Sequence, residues 1–344
     1  MKPCTFGSLF SGGGLVDLGA VAAGLQPRWA IEIDPAVAGV FRANHNTPLI
    51  EGDVAAIDPN DLDPVEVLWA SPPCQAFSQA RNQSLPQRTD ADLGLHILRY
   101  TAVLRPRLVV VENVPAYQHS DQLAQIVAGL WEQSYFVCHQ LLNASWFGTP
   151  QTRHRLILRA FRGSLVPELR TSAAKAGWWS AVADLADSFP PSQLAPWQLK
   201  KLFPLEHFLG EANTLIRGCG PNQRGPWTVG AGRSAPTVIA CADKITLRAW
   251  LVDGQFNGSP DQRDRPPTVR RGDEPAYTIT SSGALRPARA CLDGRVVALT
   301  TRALARFQDL PDTYQLPANK TLACKVIGNG VPVRMAAAIL RGMA

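Results

Sequence analysis

The stretch of sequence that decides the fold is FGSLFSGGGL at residues 6–15, in which a short apolar run leads into a glycine loop. The apolar run predicts a strand over Phe6–Phe10, and the residues after the loop predict a helix over Leu15–Ala23. The same alternation continues to about residue 160. It predicts further strands at Pro27–Ile33, Val65–Ala70, Leu108–Glu112 and Leu156–Ala160, and further helices at Pro35–Asn44, Asp92–Leu104 and Ser120–Ser134. Strands that alternate with helices in this way predict an α/β fold with a parallel sheet, whose ligands bind beyond the carboxyl ends of the strands.

The character of the sequence changes between about residues 161 and 300. Proline, glycine and arginine become more frequent there, and long helical periodicity is lost. Short strands separated by turns are predicted at Ala235–Val238, Pro267–Val269 and Ala276–Ile279. A helix-like segment returns at Thr301–Gln308, and a final helix follows residues 326–328. We therefore predict three parts: a first domain over residues 1–160, a smaller, mostly irregular or β domain over residues 161–300, and a return segment over residues 301–344 that completes the first domain.

The overall composition is that of a globular protein, with 46% hydrophobic and 18% charged residues. We find no apolar run near the roughly 18 residues of a membrane span, and the N-terminus lacks a signal-peptide pattern. The seven cysteines include no C-x-x-C pair, so neither a disulfide framework nor a zinc site is expected, and no metal is predicted. These features predict a cytoplasmic protein without a membrane partner.

Most of the excess positive charge lies in residues 161–300, which contain 17 lysines and arginines against 12 acidic residues in a chain of net charge +6. Five of the nine tryptophans lie there too. Basic residues interleaved with aromatic ones suit a nucleic-acid surface. A solvated basic surface above buried tryptophans fits the same pattern, because tryptophan is more often buried than exposed. Charge alone leaves both interpretations open.

The glycine loop and two acidic residues predict a cofactor site at the ends of the first three strands. The candidate residues are Phe10, Ser11, Gly12 and Gly14 in the loop, Glu32 at the end of the second strand and Asp53 at the end of a third strand predicted within residues 51–54. Glycines at such a turn let the backbone approach a ligand, and a helix N-terminus favours an anionic group. Glu32 is placed to accept both ribose hydroxyls, and Asp53 to accept from an adenine amino group. Together they fit an adenosyl ligand without a pyrophosphate, although each also fits a surface or capping role.

A second group of candidate residues follows the next two strands. Cys74 comes directly after two prolines, which fix the chain and aim the thiol from a rigid strand end. Glu112 ends the neighbouring buried strand, where loss of solvent would favour its protonated form and keep a proton available. Arg153 and Arg155 lie two residues apart on one face of an extended segment, where they can meet a base carbonyl and a phosphate. A lone cysteine is more often a small buried hydrophobe, so the chemical interpretation of Cys74 depends on these neighbours.

Read in order, these blocks strongly resemble those of the cytosine-C5 DNA methyltransferases. The shared signatures are Phe-x-Gly at residues 10–12, Pro-Cys-Gln at 73–75, Glu-Asn-Val at 112–114, Gln-x-Arg-x-Arg at 151–155, and the closing block GNGVP at 328–332. They lie on both sides of the long variable region. The resemblance implies a Rossmann-like S-adenosylmethionine-dependent methyltransferase domain, with residues 161–300 as its target-recognition domain.

Three positions depart from the family pattern. Leu15 stands where the family has the second glycine of a Gly-Gly pair, and Gly330 stands where it usually has alanine. Ser8 replaces the aspartate of many members. The change at Leu15 leaves open how the loop contacts the methionine end of the cofactor.

The resemblance also implies a reaction. Cys74, as a thiolate, adds to C6 of a flipped-out cytosine while Glu112 hydrogen-bonds or protonates N3. C5 then takes the methyl group of S-adenosylmethionine, and a base removes the C5 proton as Cys74 leaves. Arg155 and Arg153 would hold the O2 and phosphate side of the base. The remaining implied contacts are those of Pro73, Gln75, Ser78, Asn113 and Gln151 with the substrate and of Asn329 with the cofactor. The polar segment 79–90 is interpreted as a loop that closes on the site.

The expected partner is double-stranded DNA, with a cognate restriction endonuclease as a candidate functional partner and a monomer as the expected state. Methylation of tRNA cytosine is the main alternative, because a branch of the family uses the same blocks. A catalytically silent DNA-binding relative would be expected to lose Cys74 or Glu112, and both are present. A nicotinamide-dependent oxidoreductase accounts for the first loop but leaves the cysteine, glutamate and arginine blocks without a purpose.

Overall fold

The computed structural model describes residues 3–73, 93–169, 171, 176–191 and 296–341, and the backbone of six short strands between residues 214 and 280. The predicted site residues Cys74, Gln75 and Ser78 lie outside the described residues. So do the polar segment 79–90 and Asp92, the predicted first residue of a helix.

By its internal contacts the chain divides into two compact units. The first unit comprises residues 1–144, 154–171 and 330–344, and the second comprises residues 145–153 and 172–329. The domain boundaries predicted at residues 160 and 300 stay predictions.

The first unit is built on a seven-stranded sheet. Its strands are β1 (Thr5–Leu9), β2 (Gln26–Glu32), β3 (Leu49–Glu51), β4 (Val67–Ala70), β5 (Leu108–Asn113), β6 (Tyr135–Asn143) and β7 (His154–Arg162). Their spatial order is β3-β2-β1-β4-β5-β7-β6. Strands β1 to β5 are parallel, whereas β7 runs antiparallel to both β5 and β6. The order reverses at β1, which lies between β2 and β4, and ligands of doubly wound sheets bind at such a switch point.

Seven α-helices lie in the described part of the chain. They are α1 (Leu15–Ala22), α2 (Pro35–Asn44), α3 (His96–Leu104), α4 (Asp121–Glu132), α5 (Thr301–Arg306), α6 (Lys320–Asn329) and α7 (Val333–Leu340). Helices α2, α4 and α5 begin with a side-chain N-cap. At α2, the Asp34 carboxylate accepts hydrogen bonds from the Ala36 and Val37 N–H groups, with Pro35 as the first helical residue.

The central strands β4 and β5 are buried along their whole length. A continuous apolar run is typical of a strand that is covered on both faces. Polar residues appear only at the end of β5, where Glu112 and Asn113 are 5% and 3% exposed. The sheet therefore brings two buried polar side chains to its carboxyl edge.

The α/β fold class is confirmed, and each strand and helix predicted before residue 160 has a counterpart. One strand was missed: β6 carries His139 and Gln140 among its apolar residues, forms an edge of the sheet and has a mixed burial pattern. Because β6 precedes β7, the predicted strand Leu156–Ala160 runs antiparallel to β5, and the sheet is mostly rather than wholly parallel. Helix α4 also ends at Glu132, shortly before Ser134 adopts a positive φ of 67°.

The second unit contains short strands and two of the helices. The strands are β8 (Thr214–Arg217), β9 (Trp227–Thr228), β10 (Thr237–Ala240), β11 (Arg248–Trp250), β12 (Val269–Arg270), β13 (Thr278–Thr280) and β14 (Val296–Ala298). Strands β12, β8, β11 and β14 form one sheet, with β9 paired to β8, and β10 pairs with β13. The three predicted short strands overlap β10, β12 and β13, and α5 and α6 belong to this unit.

One segment, Lys320–Leu340, is long and apolar enough by composition to cross a membrane, with a mean hydropathy of 1.3. The sequence-based prediction had found no such run. In the structure the segment consists of α6 and α7, interrupted at residues 330–332, and 61% of its apolar window is buried inside the protein. Burial of this kind is typical of core helices.

Candidate functional site

The loop after β1 has left-handed backbone at three positions, two of which are glycines. Phe10, Gly12 and Gly14 have φ values of 57°, 59° and 80°. The left-handed region is unfavourable for Phe10, and its neighbours hold it there. Ser11 supplies part of this constraint, because its N–H donates to the Ile31 carbonyl at 2.9 Å and its hydroxyl donates to the same oxygen at 3.1 Å. The predicted loop residues are thus fixed onto β2.

Glu32, at the end of β2, links this loop to the start of the segment before α2 through its two carboxylate oxygens. One carboxylate oxygen accepts from the Gly12 N–H at 2.8 Å and the other from the Asp34 N–H at 2.9 Å. A carboxylate oxygen has two lone pairs, so each retains capacity to accept a further hydrogen bond. Around Gly12, a Cβ would meet no heavy atom within 4 Å. Glu32 and the open side of Gly12 are therefore adjacent, at the carboxyl ends of β1 and β2.

Gly14 is required to be glycine on two counts. Its φ of 80° is unfavourable for other residues, and a Cβ there would lie 2.2 Å from Nε2 of His45. His45 stacks on Phe41 with ring centroids 4.4 Å apart. Burial lowers the pKa of His45 to about 4, so the imidazole against the loop is neutral at physiological pH. His45 could not be predicted as part of the site, since it lies after α2 and outside every recognised block.

A buried carboxylate lies beneath the same loop. Asp17, in the first turn of α1, is fully buried, and its Oδ1 accepts from the Ser8 hydroxyl at 3.0 Å. Burial raises the pKa of Asp17 to about 7. Sequence-based reasoning missed this residue because an acid in a first helical turn is ordinarily explained by the helix dipole.

Asp53 was predicted to end the third strand, but β3 ends at Glu51 and Asp53 lies two residues beyond it. Its Oδ1 accepts from the Ala55 N–H at 2.8 Å, so the carboxylate shapes the turn that follows. This is the capping role that the sequence left open beside the proposed contact with adenine.

The end of β4 is tied to the end of β5 just before Cys74. The Asn113 side-chain N–H donates to the Pro72 carbonyl at 3.2 Å, and its oxygen accepts from the Val114 N–H at 2.8 Å. On the β4 side, Trp69 donates from Nε1 to the Ser71 hydroxyl at 3.0 Å. Pro72 is buried, and the predicted substrate residue Pro73 is half-buried. Asn113 therefore fixes the segment that leads into residue 74.

Glu112 forms a buried ion pair with Arg155. The Arg155 Nε lies 2.8 Å from Glu112 Oε1, and the two side chains are only 9% and 6% exposed. Strands β5 and β7 are adjacent, so the sheet register brings the two residues together. The ion pair gives Glu112 a charged partner that the sequence had not predicted. Arg155 also donates from Nη1 to the His154 carbonyl at 2.7 Å.

The other predicted residues belong to the second unit. Arg153 is fully buried, and its guanidinium donates to the Gly328 carbonyl at 2.9 Å. Gln151 is also fully buried, and its amide has no hydrogen-bond partner among the described residues. Asn329 is exposed at the end of α6. The structure thus assigns Arg153 and Arg155, two residues apart in sequence, to different units.

A doubly wound sheet with a glycine loop after β1 and an acidic residue ending β2 defines an α/β protein of the nucleoside-cofactor-binding class. The family model described as C-5 cytosine-specific DNA methylase matches residues 4–209 and 240–344 of the chain. Because this match covers most of its length, the chain belongs to the C-5 cytosine-specific DNA methylase family.

Similar proteins agree with that assignment. The chain is 27% identical to the Type II methyltransferase M.PspPI of Psychrobacter sp. over 341 residues, which cover 96% of this chain and 76% of the relative. It is also 27% identical to the Type II methyltransferase M.NgoPII of Neisseria gonorrhoeae, over 97% of this chain and 94% of the relative. Among solved structures, the Entamoeba histolytica methyltransferase EhMeth has a TM-score of 0.60 at 15% identity, covering 98% of this chain and 97% of its own. The S. pombe Dnmt2 methyltransferase has a TM-score of 0.55 at 15% identity, over 97% of this chain and 96% of its own. These two likenesses show the fold.

The family resemblance predicted from the sequence is therefore confirmed. The chain is a DNA cytosine-5-methyltransferase of an S-adenosylmethionine-dependent family that acts on DNA, and its Type II relatives place it in a restriction–modification context.

Proposed function

We propose that this enzyme methylates C5 of cytosine in one specific sequence of double-stranded DNA. The target nucleotide is extruded from the duplex, and the Cys74 sulfur forms a covalent bond to C6. The observation that carries the proposal is the hydrogen bond from Asn113 to the Pro72 carbonyl. It holds the segment two residues before Cys74 onto the strand end that also carries Glu112.

Glu112 and Arg155 are proposed to contact the polar atoms of the target cytosine. With the target base bound, Glu112 in its protonated form donates a hydrogen bond to N3 or transfers its proton there, which makes C6 open to attack by the Cys74 thiolate. The contact with Arg155 keeps the Glu112 carboxyl group in one orientation at the end of β5. The ion pair holds the Arg155 guanidinium beside Glu112, and the same guanidinium can also contact the O2 side of cytosine. After C5 has taken the methyl group, a base removes the C5 proton, the C5–C6 double bond re-forms and the Cys74 thiolate leaves.

Arg153 and Gln151 have narrower proposed roles. Arg153 is buried against the Gly328 carbonyl and acts as a positioning residue. The side-chain amide of Gln151 is buried and has no hydrogen-bond partner among the described residues. This supports the proposal that Gln151 contacts the substrate. Pro73, Gln75 and Ser78 remain proposed substrate contacts through the family motif.

The loop after β1 fits an S-adenosylmethionine molecule, which supplies an electrophilic methyl group when bound. Gly12 has open space beside its Cα, and Glu32 retains acceptor capacity for ribose hydroxyls. Phe10, Ser11 and Gly14 fix the shape of the loop around these two residues. Asp53 completes the proposed set in the first unit, and Asn329 remains a proposed cofactor contact through the family motif alone.

The region 161–300, with its surplus of basic residues, is proposed to choose the DNA sequence. Its side chains would contribute phosphate contacts, which dominate affinity, and base contacts, which decide specificity. We further propose that the enzyme works as a monomer in the cytoplasm, beside a restriction endonuclease that cuts the same sequence. The Type II relatives support the endonuclease partner, and the charge pattern supports the role of residues 161–300.

One assay tests the reaction and its nucleophile together. Labelled methyl transfer from S-adenosylmethionine is measured on duplex DNA and on tRNA, and bisulfite sequencing then locates the modified cytosines. Cys74→Ser should abolish turnover and covalent trapping on DNA that contains 5-fluorocytosine, while DNA binding survives. Cys138→Ser, a cysteine on edge strand β6, is the matched control and should keep both. Turnover retained by Cys74→Ser would remove Cys74 from the mechanism, and transfer to tRNA alone would favour the alternative substrate.

A further inference from the structure

Two of the departures from the family pattern meet in the first unit. Leu15 and Gly330 lie 315 positions apart in the sequence. A Cβ placed on Gly330 would lie 2.3 Å from Cδ2 of Leu15, 3.0 Å from its Cγ and 3.2 Å from its Cβ. Non-bonded carbon atoms favour separations of about 3.5–4.0 Å, so an alanine at position 330 would overlap the leucine.

Rotation of the leucine would remove only part of this overlap. A new rotamer moves Cδ2, but the backbone fixes the Cβ of Leu15, which is itself closer than ordinary contact distance. Leu15 is 1% exposed, so its side chain has little room to turn. An alanine at position 330 would therefore shift either the backbone around Leu15 or the turn before α7.

The backbone around Leu15 is the cofactor loop itself. Leu15 is the first residue of α1 and directly follows Gly14, the last glycine of the loop. Leu15 and Gly19 are four residues apart, so they lie on the same face of α1. Gly19 also marks close packing, because a Cβ there would lie 2.5 Å from the Cβ of Ala336 in α7. Leu15 thus meets the turn that leads into α7, one helical turn before α1 and α7 make their tightest contact.

We propose that Leu15 and Gly330 are a matched pair that positions the cofactor loop. The leucine fills the space that the family alanine would take, and the glycine at position 330 makes this possible. Leu15 is then a positioning residue whose buried side chain determines where the Gly12–Gly14 backbone lies. The part of this inference that concerns the cofactor rests on the proposed binding of S-adenosylmethionine, whereas the pairing itself does not.

A double-variant cycle tests the pair. The proteins are wild type, Gly330→Ala, Leu15→Gly and the double variant, which has the family pattern at both positions. Thermal unfolding without cofactor and calorimetric titration with S-adenosylmethionine are the two readouts. Gly330→Ala should lower the unfolding midpoint and weaken S-adenosylmethionine binding about fivefold or more, the scale of an overpacked core. In the double variant both losses should be smaller than the combined losses of the single variants.

Gly19→Ala is the control for an effect on stability alone. It overpacks the same pair of helices one turn away from the loop, so it should lower the unfolding midpoint but weaken binding less than Gly330→Ala does. Equal loss of affinity in the two variants would show that Leu15 and Gly330 only stabilise the fold. An unfolding midpoint unchanged by Gly330→Ala, or losses that simply add, would overturn the pairing. If wild type failed to bind S-adenosylmethionine while the unfolding cycle still showed coupling, the proposed function would fail and the pairing would stand.

Discussion

The buried ion pair between Glu112 and Arg155 gives the sharpest stability prediction. Arg155→Met removes the guanidinium but keeps much of the side-chain volume, so the Glu112 carboxylate is left without this partner while only about 6% exposed. Removing one partner of a buried ion pair destabilises a protein by about 3–5 kcal/mol, because the remaining charge stays desolvated. We expect a loss of that size in the free energy of unfolding.

The chain supplies a matched control for this variant. Arg42 and Glu51 form an ion pair of the same length, 2.8 Å, but their side chains are 50% and 35% exposed. Solvent screens such a pair, so Arg42→Met should change stability by only about 0–1 kcal/mol. Both variants are measured by urea unfolding at one pH and one ionic strength.

A double-variant cycle separates the ion pair from the other contacts of Arg155, which include a hydrogen bond to the His154 carbonyl. Glu112→Gln combined with Arg155→Met leaves no buried charge at this position. The double variant should therefore lose less stability than the two single losses combined, with a coupling energy of about 1–3 kcal/mol. If Arg155→Met costs no more than Arg42→Met, burial of the pair contributes nothing and this reasoning fails.

Three further predictions concern the cofactor loop, the residue beneath it and the DNA interface. Glu32→Ala should weaken S-adenosylmethionine binding by about 1.5–3 kcal/mol, the scale of hydrogen bonds to a charged group, and unchanged affinity in calorimetry would leave Glu32 as a loop brace only. Burial raises the pKa of Asp17 from 3.8 to about 7, so the folded chain holds this proton more tightly than the unfolded chain. As the pH rises from 3.8 to about 7, the free energy of unfolding should therefore fall relative to that of Asp17→Asn, and above pH 7 the difference should stay constant. If the free energies of unfolding of the two proteins, measured in urea, depend on pH in the same way, this prediction is wrong. DNA affinity should fall steeply with added salt, and replacing an arginine within Arg263–Arg271 that reads a base should cost about 1–3 kcal/mol of discrimination at one position, whereas uniform weakening on every sequence would identify a phosphate contact.

Much of the fold could be predicted because its signals are local. The apolar runs of β1, β4 and β5 need no knowledge of their neighbours, since each is buried along most of its length. Strand β6 was not predicted because it lies at an edge of the sheet, where exposed and buried positions do not alternate regularly. The antiparallel direction of β7 follows from β6, so missing one strand also hid the direction of the next.

The positions of the site residues were predictable, but their partners were not. Sequence order placed Glu32 and Glu112 at strand ends, and the structure shows both there. It could not show that Arg155 faces Glu112, because that contact depends on the register between β5 and β7. The packing of His45 against Gly14 is of the same kind, since a residue after α2 meets a loop that lies about thirty positions earlier in the chain.

The third departure from the family pattern, Ser8, has a physical reason of the same kind. Its hydroxyl donates to the buried Asp17 carboxylate at 3.0 Å, and an aspartate at position 8 would put a second carboxylate at that distance. Two carboxylates so close cannot both ionise without a large penalty. Serine at position 8 therefore suits a buried acid at position 17, just as glycine at position 330 suits Leu15. Taken singly, each of these residues weakens the match to the motif. Taken with its spatial partner, each preserves the packing beneath the same loop, so a departure from a motif can be interpreted only after its neighbour in the fold is known.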